Sequence, residues 1–360
     1  MDMASRQPSV IVVGAGIVGA SLAYHLARRN VRVTLIDRAG PAAGVTRQSF
    51  AWINVSYGLP EAYPDLRRRA ITEWHRVEGE LGGRLRIDWS GALTWHDDPA
   101  ETERFARESA AMGHDVRLVG RVEVAALEPN LINPPDHAAF AATEGSVDPV
   151  AATELLVQAA REAGADIRLD TDVLSLAVAD GRVTGVATSG GVITADTVVL
   201  AAGVEARALV SPLDIDLPLD ASPSILMRFR TPHRLVGRIV ANRHMEVRPS
   251  SDTLMLGAED YIDDSVENGP QAVAARALAA VRSGIDGGEA VELTEVRVGM
   301  RPFPRDRQPI VGRVSAIPGL YLSVMHAGVI LAPVTGRLMA SEIAQDAAEP
   351  LLMPYNLARF

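Results

Sequence analysis

The 360 residues predict a mixed α/β (α+β) protein: a Rossmann-type dinucleotide-binding domain interrupted by a domain built on an antiparallel sheet. Three observations carry this expectation. A strand, a glycine-rich turn, a helix and a second strand follow one another near the start of the chain; short alternating strands joined by tight turns fill its middle; strand and helix patterns return at its end. With 48% hydrophobic and 22% charged residues the chain is globular, and at typical sizes of about 100–200 residues it holds about two domains.

Residues 10–13 are an apolar run that enters a glycine turn, residues 20–29 have helical character, and residues 31–36 read as a second strand. Residues 40–64 are less regular. They carry Gly, Pro, Ser and Asn but also Phe50, Trp52 and Ile53, whose side chains are expected to face something buried. A helix is predicted over 64–81, a strand or hairpin over 85–95, and a helix over 99–112, where proline is followed by Glu101 and Glu103. Asp148-Pro149 opens another helix over 151–163. Five short strands follow, over 166–169, 173–178, 182–188, 191–194 and 197–200, with Asp180-Gly181 and Gly190-Gly191 as turns. Residues 224–258 are strand-like with a hairpin turn at 249–252. The chain closes with a helix over 270–283, a strand over 319–324, a loop, and a helix over 333–345. There is no internal repeat.

Composition excludes much chemistry. There is no cysteine, and every one of the 35 basic residues is arginine. Thiolate metal sites, cysteine nucleophiles and cysteine-tethered cofactors are therefore impossible, as are lysine Schiff bases and a P-loop. A net charge of −10 and scattered arginines argue against a nucleic-acid surface. The longest apolar stretch, residues 10–23, is broken by three glycines and is too short to span a bilayer. It starts too early for a charged leader, and no cleavage site follows. A cytoplasmic enzyme without a metal site is the expectation.

The turn Gly14-Ala-Gly16-Ile17-Val18-Gly19 matches G-x-G-x-x-G in the required setting, after a strand and opening a helix, with Asp37 closing the next strand. Gly14 permits the tight turn, Gly16 lets the backbone approach a pyrophosphate, and Gly19 allows the helix to pack on the strand. The positive end of the helix holds the anion, and Asp37 accepts from ribose hydroxyls. This motif does not choose between FAD and NAD.

Two further segments bear on that choice. Val198-Val-Leu-Ala-Ala202-Gly203 resembles the second dinucleotide motif of the D-amino acid oxidase, glycine oxidase and sarcosine oxidase family. Gly299-Met-Arg301-Pro302-Phe-Pro-Arg-Asp306-Arg-Gln-Pro309-Ile-Val-Gly312, then Pro318-Gly-Leu-Tyr-Leu and Gly328-Val329-Ile330-Leu331-Ala-Pro333-Val-Thr-Gly336, resembles that family's closing signature. The resemblance implies noncovalent FAD in a domain formed by residues 1–84, 145–212 and 298–360, with a substrate domain from 85–144 and 213–297. It implies cofactor contacts at Gly14, Gly16, Ile17, Val18, Gly19, Asp37 and Arg38, and at Thr46, Arg47, Gln48 and Ser49 beside the pyrophosphate and flavin. It also implies Val173 at the adenine, then Ala202, Gly203 and Arg301, and the Gly328–Leu331 turn at the flavin. Relatives commonly carry glutamate where Asp37 stands, one methylene longer. Sarcosine oxidases use a lysine to promote reaction with dioxygen and a cysteine to tether the flavin, and this chain has neither.

The resemblance further implies oxidation of an amino acid or secondary amine to an imine by hydride transfer to the flavin. Dioxygen or another acceptor would then reoxidise the flavin. Arg301 matches the arginine that binds the substrate carboxylate in glycine oxidase, a role suited to its planar fork. His326, two residues before Gly328, has a near-neutral pKa suited to taking the amine proton. Glu246 falls on a strand where relatives often carry a substrate-facing tyrosine; a carboxylate there would favour a cationic substrate group. A one-residue slip reverses the face, and a solvent-facing strand glutamate is the plainer reading. The other class of function is a flavin-binding subunit of a multi-subunit amine dehydrogenase that passes electrons to a partner protein. An NAD(P)-dependent dehydrogenase leaves the closing signature without a reason. Oligomerisation is compatible with either.

Overall fold

The computed structural model describes residues 7–56 and 63–360; the part of the irregular 40–64 segment at 57–62 lies outside them. Six strands form one sheet in the order Ile310–Arg313, Leu320–Val324, Thr197–Leu200, Ser9–Val13, Arg32–Ile36, Asp166–Arg168. All neighbours are parallel except the first pair. The first strand shows why its run of four valines and isoleucines is continuous. Val10 and Val12 point to a helical layer and Ile11 and Val13 to the opposite face, so both faces are buried. The helical layer comprises Ile17–Ala27, Pro64–Glu80, Pro149–Glu162 and Gly328–Gln345. The other face is covered by a three-stranded antiparallel sheet, Val173–Ala179, Arg182–Thr188 and Gly191–Thr194, through Leu176, Val183 and Val186.

The second large sheet has eight strands, ordered Glu292–Pro304, Leu219–Arg230, Leu254–Asp260, Glu246–Ser251, Ile239–Ala241, Ala92–Thr94, His137–Ala141, Val116–Gly120. One face packs on helix Pro270–Gly284, and the other on Phe50, Trp52 and Ala106 of helix Pro99–Ala111. Phe50, Trp52 and Ile53 are thus buried as expected.

The predicted strand over 85–95 contracts to Ala92–Thr94, and the strands Val116–Gly120, His137–Ala141 and Glu292–Pro304 were not anticipated. Glu292–Pro304 runs unbroken across residue 298, where the sequence reading divides the two domains, and stays paired with Leu219–Arg230 to Pro304. Pro249 lies within a strand rather than in the turn. A register shift between Pro249 and Ser251 accommodates it, and the turn falls at Asp252-Thr253.

The last helix begins at Gly328, five residues before the predicted start, so Pro333 sits inside it. Proline lacks an N–H and leaves the carbonyl four residues earlier, Val329, without its helical donor. Trp74, fully buried on the facing helix, donates its indole N–H to Val329 O and Ile330 O, each at 3.2 Å. The tryptophan thereby permits the proline and keeps the helix N-terminus directed at the inter-sheet space.

Two buried charges fasten the sheets together. Glu144 accepts from Trp52 Nε1 at 2.9 Å, from the Val55 and Ser56 amides at 2.9 Å each, and from Ser56 Oγ at 2.7 Å. Arg248, also buried, donates to the carbonyls of Phe50, Val147 and Pro249 and to Ser146 Oγ. Burial pushes the Glu144 carboxyl up and the Arg248 guanidinium down to about 10.

Trp74→Phe strips the donor from two carbonyls and leaves a void where the fused ring was. It should lower unfolding free energy by about 1–3 kcal/mol in urea titrations, the cost of an unsatisfied buried polar group.

Candidate active site

The first glycine turn is held by backbone contacts that exclude side chains. At Gly14, φ is +104° and a Cβ would lie 2.6 Å from Ala201 O; a Cβ on Gly19 would lie 1.9 Å from Gly14 O. Gly19 therefore acts through packing of helix on strand and not through a ligand. Asp37 accepts from Ala15 N at 2.7 Å and from Ala39 N at 2.9 Å, one bond on each carboxylate oxygen, so each retains a lone pair for another donor. Helix Ile17–Ala27 has no side-chain cap at Gly16 and no acid in its first turn. Thr46 Oγ1 accepts from Ile17 N at 3.2 Å.

Helix Gly328–Gln345 repeats this arrangement, with neither a side-chain cap at Ala327 nor an acidic residue in its first turn. The two helix ends meet where a Cβ on Gly328 would lie 3.4 Å from Val18 Cγ2. Their free amides and positive dipole ends face one cavity of 1430 Å³. Ligand pockets are typically about 300–1,000 Å³, so there is room here for a large cofactor together with a substrate.

A chain of contacts fixes the order of groups along the cavity. From Asp37 and Ala15 it passes through Ile17 and Thr46 to Val18 and Gly328, and then to His326. The His326 ring stacks on Phe303 with centroids 4.9 Å apart, and Arg301 Cζ lies 5.9 Å from the Phe303 ring centre. Arg301 reaches Asp260 at 3.6 Å, and Glu246, Glu259 and Asp260 line the same end.

Arg301 is partly committed. Its Nη2 donates to Ser222 Oγ and Pro223 O at 3.0 Å each, and its Nε to Ser222 O at 3.4 Å. Nη1 keeps both of its N–H groups, so a carboxylate would be held from one nitrogen rather than by the expected two-pronged fork. Burial, with the charges of Arg301 and Arg67, pulls His326 down to about 3. It is therefore neutral at ordinary pH and too weak a base to suit the role of amine-proton acceptor. Tyr63 donates to the His326 carbonyl at 3.2 Å, and Arg67 lies over the Tyr63 ring.

Glu246 faces the cavity and not bulk solvent. Burial, then the charges of Glu259 and Asp260, raise its carboxyl to about 8, with Arg301 opposing; burial and Asp260 raise Glu259 to about 7.

Of the residues anticipated from sequence, Gly14, Gly16, Ile17, Val18, Asp37, Arg38, Thr46, Gln48, Ser49, Val173, Ala202 and Gly203 line this one cavity. So do Glu246, Arg301, His326, Gly328, Val329 and Ile330. Arg47 and Leu331 do not. Arg47 turns back to Ala42 O and opens on a separate small recess with Asp148 and Arg248, and Leu331 is buried in the helical layer. Tyr63, Arg67, Glu259, Asp260 and Phe303 also line the cavity and were not anticipated. Alternation from Arg301 to Phe303 along one strand is the signal that could have found the last of these.

A family model described as FAD dependent oxidoreductase (DAO) matches residues 9–342. The "Uncharacterized oxidoreductase YurR" of Bacillus subtilis (strain 168) is 30% identical, over 97% of this chain and 98% of its own length. Glycine oxidase of Bacillus licheniformis is 26% identical, over 94% and 93%. The crystal structure of glycine oxidase from Geobacillus kaustophilus superposes with a TM-score of 0.86 at 21% identity, over 98% of this chain and 100% of that one, and shares the fold.

The residues present fit FAD. The glycine cradle admits no side chain where the backbone must approach a pyrophosphate, two uncapped helix ends suit an anion and an electron-rich ring edge, and Asp37 has acceptor capacity for a ribose. No helix among the described residues is long and apolar enough to cross a membrane.

Gly19→Ala should force strand and helix apart, yielding protein without flavin absorbance bands and destabilised by about 1–3 kcal/mol or more. A second expectation concerns pH. The folded state holds the Glu246 proton up to about 8 whereas an unfolded carboxyl releases it near 4.5, so this group lowers stability as pH rises between those values. Glu246→Gln should therefore gain in melting temperature over the parent as pH rises from 5 to 8.5, and a constant offset would contradict a proton held by Glu246.

Proposed function

The chain belongs to the FAD dependent oxidoreductase family, and on that premise we propose that it oxidises an amino acid or amine to an imine in this cavity. What supports this most is the contact-linked order of groups: a dinucleotide cradle, two helix ends, and then Arg301 beside a neutral histidine and an aromatic ring. The chemistry FAD supplies when bound is two-electron oxidation, in which a C–H next to nitrogen leaves as hydride and the nitrogen loses a proton.

The chain's own groups do the rest. Arg301 Nη1 donates to a substrate carboxylate and orients the molecule. His326, uncharged, offers a hydrogen-bonding nitrogen without repelling an ammonium, and its stack on Phe303 bounds the site. The uncapped end at Ala327 and Gly328 provides N–H groups where negative charge would accumulate. A cysteine thioether to FAD is impossible, since the chain has no cysteine.

Anaerobic addition of amino acids, N-methyl amino acids and cyclic amines to the yellow protein should bleach the flavin with at least one of them. Bleaching by none would refute amine oxidation. On admitting air, stoichiometric peroxide identifies an oxidase, whereas slow recovery without peroxide supports transfer to another acceptor or a partner subunit. Arg301→Met should raise the Kd for carboxylated substrates about tenfold or more, the value of one charge-assisted hydrogen bond, with little change for amines lacking a carboxylate.

A further inference from the structure

We propose that the substrate carries a second positive charge away from the carbon that is oxidised, and that Glu246, with Asp260 and Glu259, receives it. The proposal rests on reading this cavity as a site of amine oxidation.

Strand register brings these groups together. Glu246 pairs with Ala258, two residues before Asp260, so Glu246 and Asp260 project from one face of the sheet. Asp260 pairs with Ser224 and Arg301 with Ser222, which puts Arg301 on that face as well. Glu259 projects from the other face near the end of its strand and still lines the cavity.

The contrast with the structural carboxylates is decisive. Buried Glu144 accepts four hydrogen bonds, and buried Glu128 accepts from the Gly237 amide and from Arg238 at 3.2 Å. Glu246 and Glu259 have no hydrogen bond or ion pair to their side chains among the described residues, although both are part-buried. A part-buried carboxyl left unpaired by the fold is costly in its charged form, so it holds its proton until a cation pairs with it.

The nearby cations fill this role only in part: Arg301 reaches Asp260 at 3.6 Å, and Arg276 acts on Glu259 through its charge, without an ion pair to either glutamate. Arg301 spends Nη2 and Nε on Ser222 and Pro223; Arg243 pairs with Asp97 at 3.0 Å; Arg276, on the helix behind Glu259, donates to Glu267 O. Arg67 acts on His326, not on Glu246. Three carboxyl groups therefore line this end beside Arg301. A zwitterionic amino acid brings one ammonium, which sits at the carbon to be oxidised, whereas an additional ammonium or guanidinium is the group that can draw Glu246 and Glu259 into their charged forms and pair with them. A metal ion is not the occupant these residues suit, because no group of three or more His, Asp or Glu among the described residues is arranged to hold one.

The test compares probes that differ only in a terminal ammonium: lysine against norleucine in both enantiomers, and cadaverine against n-pentylamine. Anaerobic flavin reduction by the purified holoprotein should show at least about tenfold tighter apparent Kd for the cationic member of a pair, the scale of a hydrogen-bonded charge pair. Glu246→Gln should collapse that ratio toward one. Asp260→Asn, on an exposed side chain whose change leaves the core untouched, should lower it. Equal or better use of the neutral members overturns the proposal and leaves amine oxidation standing, as does a ratio unmoved by both variants. Reduction by no amine at all overturns both readings.

Discussion

Two helix N-termini, at Gly16 and at Ala327, open on the same space with neither a side-chain cap nor an acidic residue in the first turn. Thr46 Oγ1 takes the Ile17 amide, and leaving the other first-turn amides without a capping side chain in a fold's interior is tenable only if a ligand or solvent accepts from them. Much of the surrounding structure follows from holding these ends in place. Gly14 and Gly19 let the first helix press against its strand, and Trp74 supplies the donor that Pro333 removes, so that the second helix can start early. The anion-binding character of the cavity is thus a property of backbone, and the side chains around it are free to set the substrate.

The junction between the two large sheets shows how the fold treats charge that it keeps for architecture. Glu144 and Arg248 do not pair with each other. Each makes four hydrogen bonds to the segment from Phe50 to Ser56 and its neighbours, which fixes one wall of the cavity. Exchanging either for an apolar residue would strand several buried polar atoms. The charges at the substrate end follow the opposite pattern, with few partners and strong environmental shifts, a pattern that marks sites of chemistry or binding.

How much of this was legible beforehand depended on the range of the interactions. The nucleotide turn, Asp37 and the strand–helix–strand unit were readable because each is a local pattern with one steric explanation. Pro333 misled because proline normally marks a helix start, and the tryptophan that rescues it stands more than 250 residues away in sequence. Val116–Gly120 and His137–Ala141 were missed because their strand identity comes from pairing with each other and not from an alternating pattern. The face of Glu246 was likewise undecidable until its pairing with Ala258 was known. Arg47 lies inside a four-residue stretch whose other members line the cavity, yet the 3-10 turn at Val45–Gln48 directs it out of that space.

His326 and Glu246 shift in opposite directions, and for the same reason. In each case burial is the largest cause, and it favours the uncharged form of a base and of an acid alike. Neighbouring charge then reinforces burial: arginines depress the histidine, and carboxylates raise the glutamate. Near neutral pH the pocket therefore presents an unprotonated imidazole beside carboxyls that still hold much of their proton. An arriving cation reverses the second effect and not the first. It draws Glu246 and Glu259 into their charged forms and releases protons, while His326 has none to give up. Substrate charge is thus compensated by the acidic groups and by Arg301. The absence of lysine leaves no side-chain ammonium to neutralise them in advance.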